Sequence, residues 1–261
     1  MSISFRASRL ALVLLAALSA QISYADEPVL TKGESASNWA LGLGVAVEQT
    51  AYRGIGNRVT PFPLIKYENS WVRVFGNTLD VKAPKFSDQF SVSLRASFAL
   101  GEGYKASDSP FFRGMHQRNG SIWVGPAASW RNDWFTLSAD WDMDASGESK
   151  GRQANLTLQR SFVITPRLNV TPHVGASWLD KKYVDYYYGV RPDEVRVNRP
   201  LYLGGSTINT KAGVRIGYTL TPHQHLLLDI SATMLGSKIK DSPLVNGSTS
   251  SGVLFAYFYT F

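Results

Sequence analysis

Through most of its length the chain alternates, one residue at a time, between apolar and polar positions. It does so in blocks separated by Gly-, Asn-, Asp- and Pro-containing breaks. In 89–100, Phe90, Val92, Leu94, Ala96 and Phe98 share a face opposite Ser91, Ser93, Arg95 and Ser97. The blocks 120–130, 134–144, 152–163, 168–178, 207–220 and 225–236 read the same way. A period of two is the period of a β-strand. The polar faces carry Asp140, Asp142 and Asp144, then Gln159, then Asn169 and His173, then Lys211 and Arg215, then Asp229. The last block, 252–261, puts Val253, Phe255, Tyr257, Tyr259 and Phe261 on one side. A row of aromatics turned to water invites aggregation. Turned to lipid, it matches the apolar band and aromatic girdles of a transmembrane barrel. The other reading of one such block is the buried edge strand of a soluble sandwich, and repetition along the chain weighs against it.

The first half follows the same rule less cleanly. Barrel sequence begins at 38. Trp39, Leu41, Leu43, Val45 and Val47 face one way, and Ala40, Gly42, Gly44, Ala46 and Glu48 the other. Large residues outside and small ones inside invert the pattern of a soluble strand. Residues 50–59 read as a loop, and 60–68 as a weaker strand with two prolines, tolerated at a strand start or a bulge. The segments 71–76 and 78–83 read as two short strands about a Gly76-Asn77 turn. Arg160 falls on the apolar side of its block, which predicts a place near an interface where its head can reach water.

Short turns at 131–133, 164–167 and 221–224 alternate with long loops at 101–118, 145–150, 179–206 and 237–248. Outer-membrane barrels have short periplasmic turns and long extracellular loops. With both ends of the chain periplasmic, the strand number is even. The expectation is an all-β, antiparallel transmembrane β-barrel of twelve strands, with ten as the alternative if 71–83 forms a single strand and 60–68 none.

Composition agrees. A mean hydropathy of −0.12 is too polar for a helical membrane protein and suits a barrel in which alternate residues meet lipid. Residues 1–25 read as a signal peptide: Arg6 and Arg9, an apolar run from Leu10 to Ala20, and a Ser23-Tyr24-Ala25 cleavage site. Residues 26–37 form a polar periplasmic leader, and 38–261 the barrel. Without Arg6 and Arg9, 25 basic residues stand against 20 acidic. So small an excess, without dense Lys/Arg clusters, gives no support to nucleic-acid binding and fits basic loops facing lipopolysaccharide phosphates. No cysteine is present, so disulfides and thiol chemistry are excluded.

Candidate chemistry is sparse. Arg95, Asp140, Asp142, Lys211, Arg215 and Asp229 are lumen charges. They are either a mutually paired polar interior or the selectivity lining of a narrow solute path. His173 with Asp229 and Ser177 is the one conceivable triad, and a lone lumen histidine is ordinarily a hydrogen-bonded structural residue. No catalytic, cofactor or metal site is expected. The loop run Tyr186, Tyr187, Tyr188, Gly189 is either an interfacial aromatic girdle or an exposed contact surface. Phe261 and Tyr259 resemble the terminal signal read by the outer-membrane barrel assembly machinery.

The chain resembles the MipA/OmpV family of outer-membrane proteins. The likeness rests on Tyr187-Tyr188-Gly189-Val190, on Pro200-Leu201-Tyr202 with Gly204-Gly205, and on the strand 207–220 that follows. It extends to the Tyr52-Arg53-Gly54 loop, the Pro61–Tyr67 strand and the Val72–Gly76 segment. The stretch between Val190 and Pro200 is more charged than the family pattern. The resemblance implies a scaffold that links a lytic murein transglycosylase to a bifunctional murein synthase; other members are described as adhesion- or osmolarity-related. A small-solute channel or a surface adhesion protein is the alternative. The turns and the 26–37 leader leave little periplasmic surface for a scaffold contact.

Overall fold

The computed structural model describes residues 39–99 and 102–261, so the predicted signal peptide and the 26–37 leader lie outside the described residues. The strands are β1 (Trp39–Gln49), β2 (Asn57–Glu68), β3 (Val72–Phe75), β4 (Thr78–Lys82), β5 (Phe90–Phe98), β6 (Ile122–Arg131), β7 (Thr136–Asp144), β8 (Arg152–Gln159), β9 (Phe162–Thr165), β10 (Leu168–Leu179), β11 (Thr207–Thr221), β12 (Gln224–Met234) and β13 (Thr249–Thr260). Two short helices, α1 (Lys181–Tyr188) and α2 (Ser237–Lys240), lie in the long loops. No helix among the described residues is long and apolar enough to cross a membrane.

Apart from β8 and β9, which do not pair with each other, every strand pairs antiparallel with its chain neighbours, and β13 returns to β1 with Ala40 opposite Thr260. The sheet is therefore a closed barrel. β8 and β9 both pair with β10 and are two pieces of one wall strand, interrupted at Arg160. The wall thus has twelve strands, as the parity argument requires. At the interruption Arg160 lies over the Trp134 and Phe162 rings, 5.2 and 4.9 Å from their centroids. Trp134 belongs to the 132–135 turn, so the Arg160 charge stays at the rim.

The two-proline strand has a structural explanation. β2 begins at Asn57, earlier than the pattern suggested, and pairs with β1 along its whole length. It pairs with β3 only through Lys66, Tyr67 and Glu68, because the β3–β4 hairpin is short. Gly76 donates its N–H to the Ile65 carbonyl at 2.9 Å, so odd-numbered residues of β2 point their backbone groups toward β3. Pro61 and Pro63 are odd-numbered and lie beyond the end of the hairpin. They remove N–H groups at the stretch where no strand is present to accept them.

The interior is divided. Ala40, Leu64, Phe75, Leu227, Leu254, Ala256 and Phe258 form a buried apolar cluster on the inner faces of β1–β3, β12 and β13, with Phe62 packed against it. The Phe62 ring rests where a Cβ on Gly44 would lie, 2.2 Å from its nearest ring atom, which explains the small inner residues of β1. The expected polar lumen occupies the rest of the circumference. Asp144 is an exception: its carboxylate turns out of the lumen and accepts the backbone N–H groups of Ser146, Gly147, Ser149 and Lys150 in the 145–151 loop.

Candidate functional site

The long-loop end is sealed. α1 starts from Asp180, whose side chain accepts the Tyr183 N–H at 2.8 Å as an N-cap. The helix then lays Tyr183, Val184 and Tyr187 into a core with Trp123, Leu179, Leu235 and Ile239. A second core joins it, built from Tyr52, Tyr104, Phe112, Met115, Val190 and Leu244. Tyr187 is 1% exposed. Its hydroxyl donates to the Asn119 carbonyl at 3.2 Å, and its own carbonyl accepts from Tyr52. Tyr188 stacks on Tyr52 at 5.3 Å. Tyr186 is half-buried and donates to Glu148 at 3.0 Å. Gly189 ends the helix against Asp185, where a Cβ would lie 2.2 Å from the Asp185 carbonyl oxygen. Three consecutive tyrosines thus do three jobs in one seal: Tyr187 is buried, and Tyr186 and Tyr188 are partly buried against it.

A buried ion pair locks the seal. Arg118 reaches both carboxylate oxygens of Glu194 at 2.9 Å and donates to the Tyr186 carbonyl at 2.7 Å. Glu194 also accepts the backbone N–H groups of His116 and Arg191. Burial would raise the Glu194 carboxyl, but those two N–H groups and the Arg118 guanidinium outweigh it and hold the group below its usual range. Arg199 donates to the carbonyls of Glu194, Phe111 and Arg113, tying the 190–203 segment to the 110–118 segment. Burial pushes Glu102 the other way, upward, against the hydrogen bond that the Tyr183 hydroxyl donates to it at 2.9 Å. Burial also raises the Tyr183 and Tyr187 hydroxyls, so both stay neutral donors. Arg118, Glu194 and Arg199 carry no sequence motif and are 68 or more residues from their cross-loop partners, so the pattern did not single them out. The sequence pattern reads 179–206 as a loop throughout; the capping Asp180 and the Tyr183/Tyr187 spacing are the signals that could have found the helix.

The predicted lumen charges fall into two groups. In one, Arg95 bonds Asp80 at 2.8 Å and Asp140 at 3.4 Å, Asn155 donates to Asp140 at 2.7 Å, and Gln153 to Asp142 at 3.4 Å. In the other, Asp229 takes both Arg215 Nε at 3.3 Å and His173 Nε2 at 3.1 Å, while Lys211 and Glu48 line a cavity of about 60 Å³ beside it. The conceivable triad does not assemble. Ser177 is four residues from His173 along β10, roughly 13 Å at strand spacing. Asp229 is shared with Arg215. Among the described residues no group of three or more His, Cys, Asp or Glu could hold a metal ion.

The short-turn end is open. Below the Arg95–Asp80–Asp140 crossbar lies a vestibule of about 470 Å³, and the β4–β5 connection, 83–89, forms its lip. Ser70, Ser91, Ser93, Ser129 and Ser138 line it, with Arg73, Lys82 and Arg131 among the charged groups. Lys82 pairs with Glu68 at the wall. Phe86, at the lip, is 66% exposed. This concavity adds surface at the short-turn end beyond that of the turns themselves.

Comparison with known proteins places the barrel. A family profile described as MltA-interacting protein MipA matches residues 41–261. The chain is 25% identical to the 24 kDa outer membrane protein of Pasteurella multocida (strain Pm70), over 85% of this chain and 91% of the relative. It is 24% identical to the MltA-interacting protein of Escherichia coli (strain K12), over 95% of this chain and 98% of the relative. Among solved structures, the NanC porin superposes with a TM-score of 0.44 at 10% identity, covering 84% of this chain and all of the porin.

Proposed function

The chain belongs to the family of MltA-interacting protein MipA, and from that premise we propose that this outer-membrane barrel is a non-enzymatic scaffold which presents its short-turn end to murein-processing enzymes in the periplasm. The observation that carries the reading is the asymmetry of the two ends. The long-loop end is closed by buried aromatics and the Arg118–Glu194 pair, while the short-turn end is concave and offers exposed Phe86, Trp71 and Trp134. Large exposed aromatics beside a cleft are the residue types that anchor protein contacts. The relative named MltA-interacting protein supports a murein enzyme as the partner class, and we take this to be a lytic transglycosylase, with a murein synthase as the second enzyme. Outer-leaflet lipid and lipopolysaccharide surround the opposite rim, and the barrel assembly machinery meets the C-terminal strand.

A photo-crosslinking residue at Phe86 or Trp71 in living cells tests the proposal. Murein enzymes should be captured there and not from Val197, which is fully exposed at the other end. Capture at Val197 alone, or at none of the three, would refute it. The second reading, a solute channel, draws on the paired charges of the half-polar lumen.

A further inference from the structure

We propose that the vestibule at the short-turn end is a binding site for a carboxylate-bearing oligosaccharide, of the class that a short murein glycan fragment represents. The inference deepens the scaffold reading and rests on its orientation of the barrel, but it requires no enzyme partner. The cavity, about 470 Å³, lies in the range of small-ligand sites. Its wall mixes serine hydroxyls with apolar side chains: Ser91 and Ser129 meet at 2.7 Å across β5 and β6, Ser93 lies within reach of Asp80, and Ala83, Pro84, Phe90 and Ala127 share the lining. Serine hydroxyls both donate and accept, as sugar hydroxyls do. A mixed wall of that kind suits a sugar, whose hydroxyls can exchange water for the wall's polar groups while its C–H faces lie against the apolar ones.

Charge sets the sign of the ligand. The lining holds Arg73, Lys82, Lys85, Arg95 and Arg131 against Glu68, Asp80 and Asp88, an excess of two positive charges, or one once Asp140 behind Arg95 is counted. A recessed site with positive excess and low-dielectric walls concentrates anions. The pocket has a definite floor, since the Arg95 guanidinium is fixed between Asp80 and Asp140. From Ser91 to Arg95 is four residues of strand, roughly 13 Å, deep enough for sugar rings to enter end-on. Phe86 at the lip, 5.5 Å from the Phe90 ring, offers a flat apolar surface to the C–H face of a ring that remains outside.

The test uses the purified full barrel in detergent, without any enzyme. Calorimetry or saturation-transfer NMR would follow three probes: soluble murein disaccharide–peptide fragments with free carboxylates, neutral N-acetylglucosamine oligomers of equal length, and an acidic peptide. The carboxylate glycan should bind, the neutral oligomer at least ~5-fold more weakly, and the acidic peptide not measurably. Ser129→Trp, which fills the vestibule, should weaken glycan binding at least ~10-fold, and Ser107→Trp on the opposite end should not. Heat-modifiability checks that each variant is a folded barrel, and Arg131→Gln provides a milder variant should the bulky one fail to assemble. Absence of glycan binding, equal binding of the acidic peptide, or unchanged affinity in both folded vestibule variants overturns the site. Crosslinking of murein enzymes at Phe86 would stand regardless, so the two proposals fail separately.

Discussion

Arg118 and Glu194, 76 residues apart, meet at 2.9 Å with their side chains 1% and 0% exposed. Loss of one partner of such a pair leaves a buried charge unmatched, at about 3–5 kcal/mol. Arg118→Ala should therefore loosen the outer seal without dissolving the wall. The pair also gives the seal a pH limit. The Glu194 carboxyl is held below its usual range, so its contribution is complete above the unfolded value of about 4.3. It is lost as pH falls through the lower folded value. Limited proteolysis within 190–203 should be slow at neutral pH in the parent chain and accelerate only in strong acid. The variant should be cut at pH 7, and equal cutting of both would show that the clamp contributes nothing.

The wall was legible in the sequence, and the seal was not. A lipid-facing strand announces itself by alternation, since each residue's side is set by the backbone alone. That is why β5–β13 and the twelve-strand count could be read, with Arg160 at the rim. β2 was half-hidden because its prolines, at 61 and 63, signal a missing neighbour rather than a missing strand. The inward face of β13, Leu254 to Phe258, is apolar because it packs on Leu64 and Leu227, a relationship between distant strands that no local period encodes. The seal depends on side chains from five connections meeting, and nothing in 180–206 alone tells Tyr187 from Tyr186.

Those two tyrosines make the difference measurable. Tyr187 is enclosed, and truncation of a buried aromatic costs about 3–5 kcal/mol. Tyr186 keeps one face in solvent and should cost under about 1 kcal/mol on the scale of a surface hydrogen bond. Hydrogen exchange at the Ala99 amide, which donates to the carbonyl of Ser121 beside the Tyr187 hydroxyl, should rise sharply in Tyr187→Ala and little in Tyr186→Ala. The reverse order would restore Tyr187 to the role of an exposed contact residue.

At the C-terminal seam Phe261 donates its N–H to the Trp39 carbonyl at 3.2 Å, and Tyr259 stacks on His223 at 5.5 Å. The Phe261 ring is 60% exposed, so it adds little to the folded barrel by burial. Phe261→Asp should thus lower the amount of barrel reaching the outer membrane while leaving the melting point of refolded protein nearly unchanged. Normal outer-membrane levels would remove the assembly role of this residue, and a large loss of melting point would make it structural instead.

The channel reading can be confronted through the same seal. Parent protein should give no conductance steps in planar bilayers, since its outer mouth is packed. Arg118→Ala should conduct, and adding Asp142→Lys to it should shift selectivity toward anions, because Asp142 lies on the polar inner face of β7. Steps from the parent chain would mean that the mouth opens without help. Silence from the opened variant would leave the lumen charges purely structural.

Orientation underlies every partner argument, and the chain's lack of cysteine makes it easy to measure. β13 ends beside the start of β1, at the end that carries the 69–71, 132–135, 166–167 and 222–223 connections. The 99–121, 180–206 and 235–248 connections lie at the other end. With short turns periplasmic, single cysteines at Ser107 and Val197 should react with an impermeant thiol reagent on intact cells. Cysteines at Asp133 and Thr165 should react only after the envelope is opened. All four positions are exposed, so reactivity reports the side of the membrane; Ser242, 2% exposed, would not serve. Labelling of Asp133 and Thr165 on intact cells would turn the barrel over. The vestibule and Phe86 would then face the medium, the Tyr186–Tyr188 seal would face the murein, and an enzyme contact would have to be sought on the long loops.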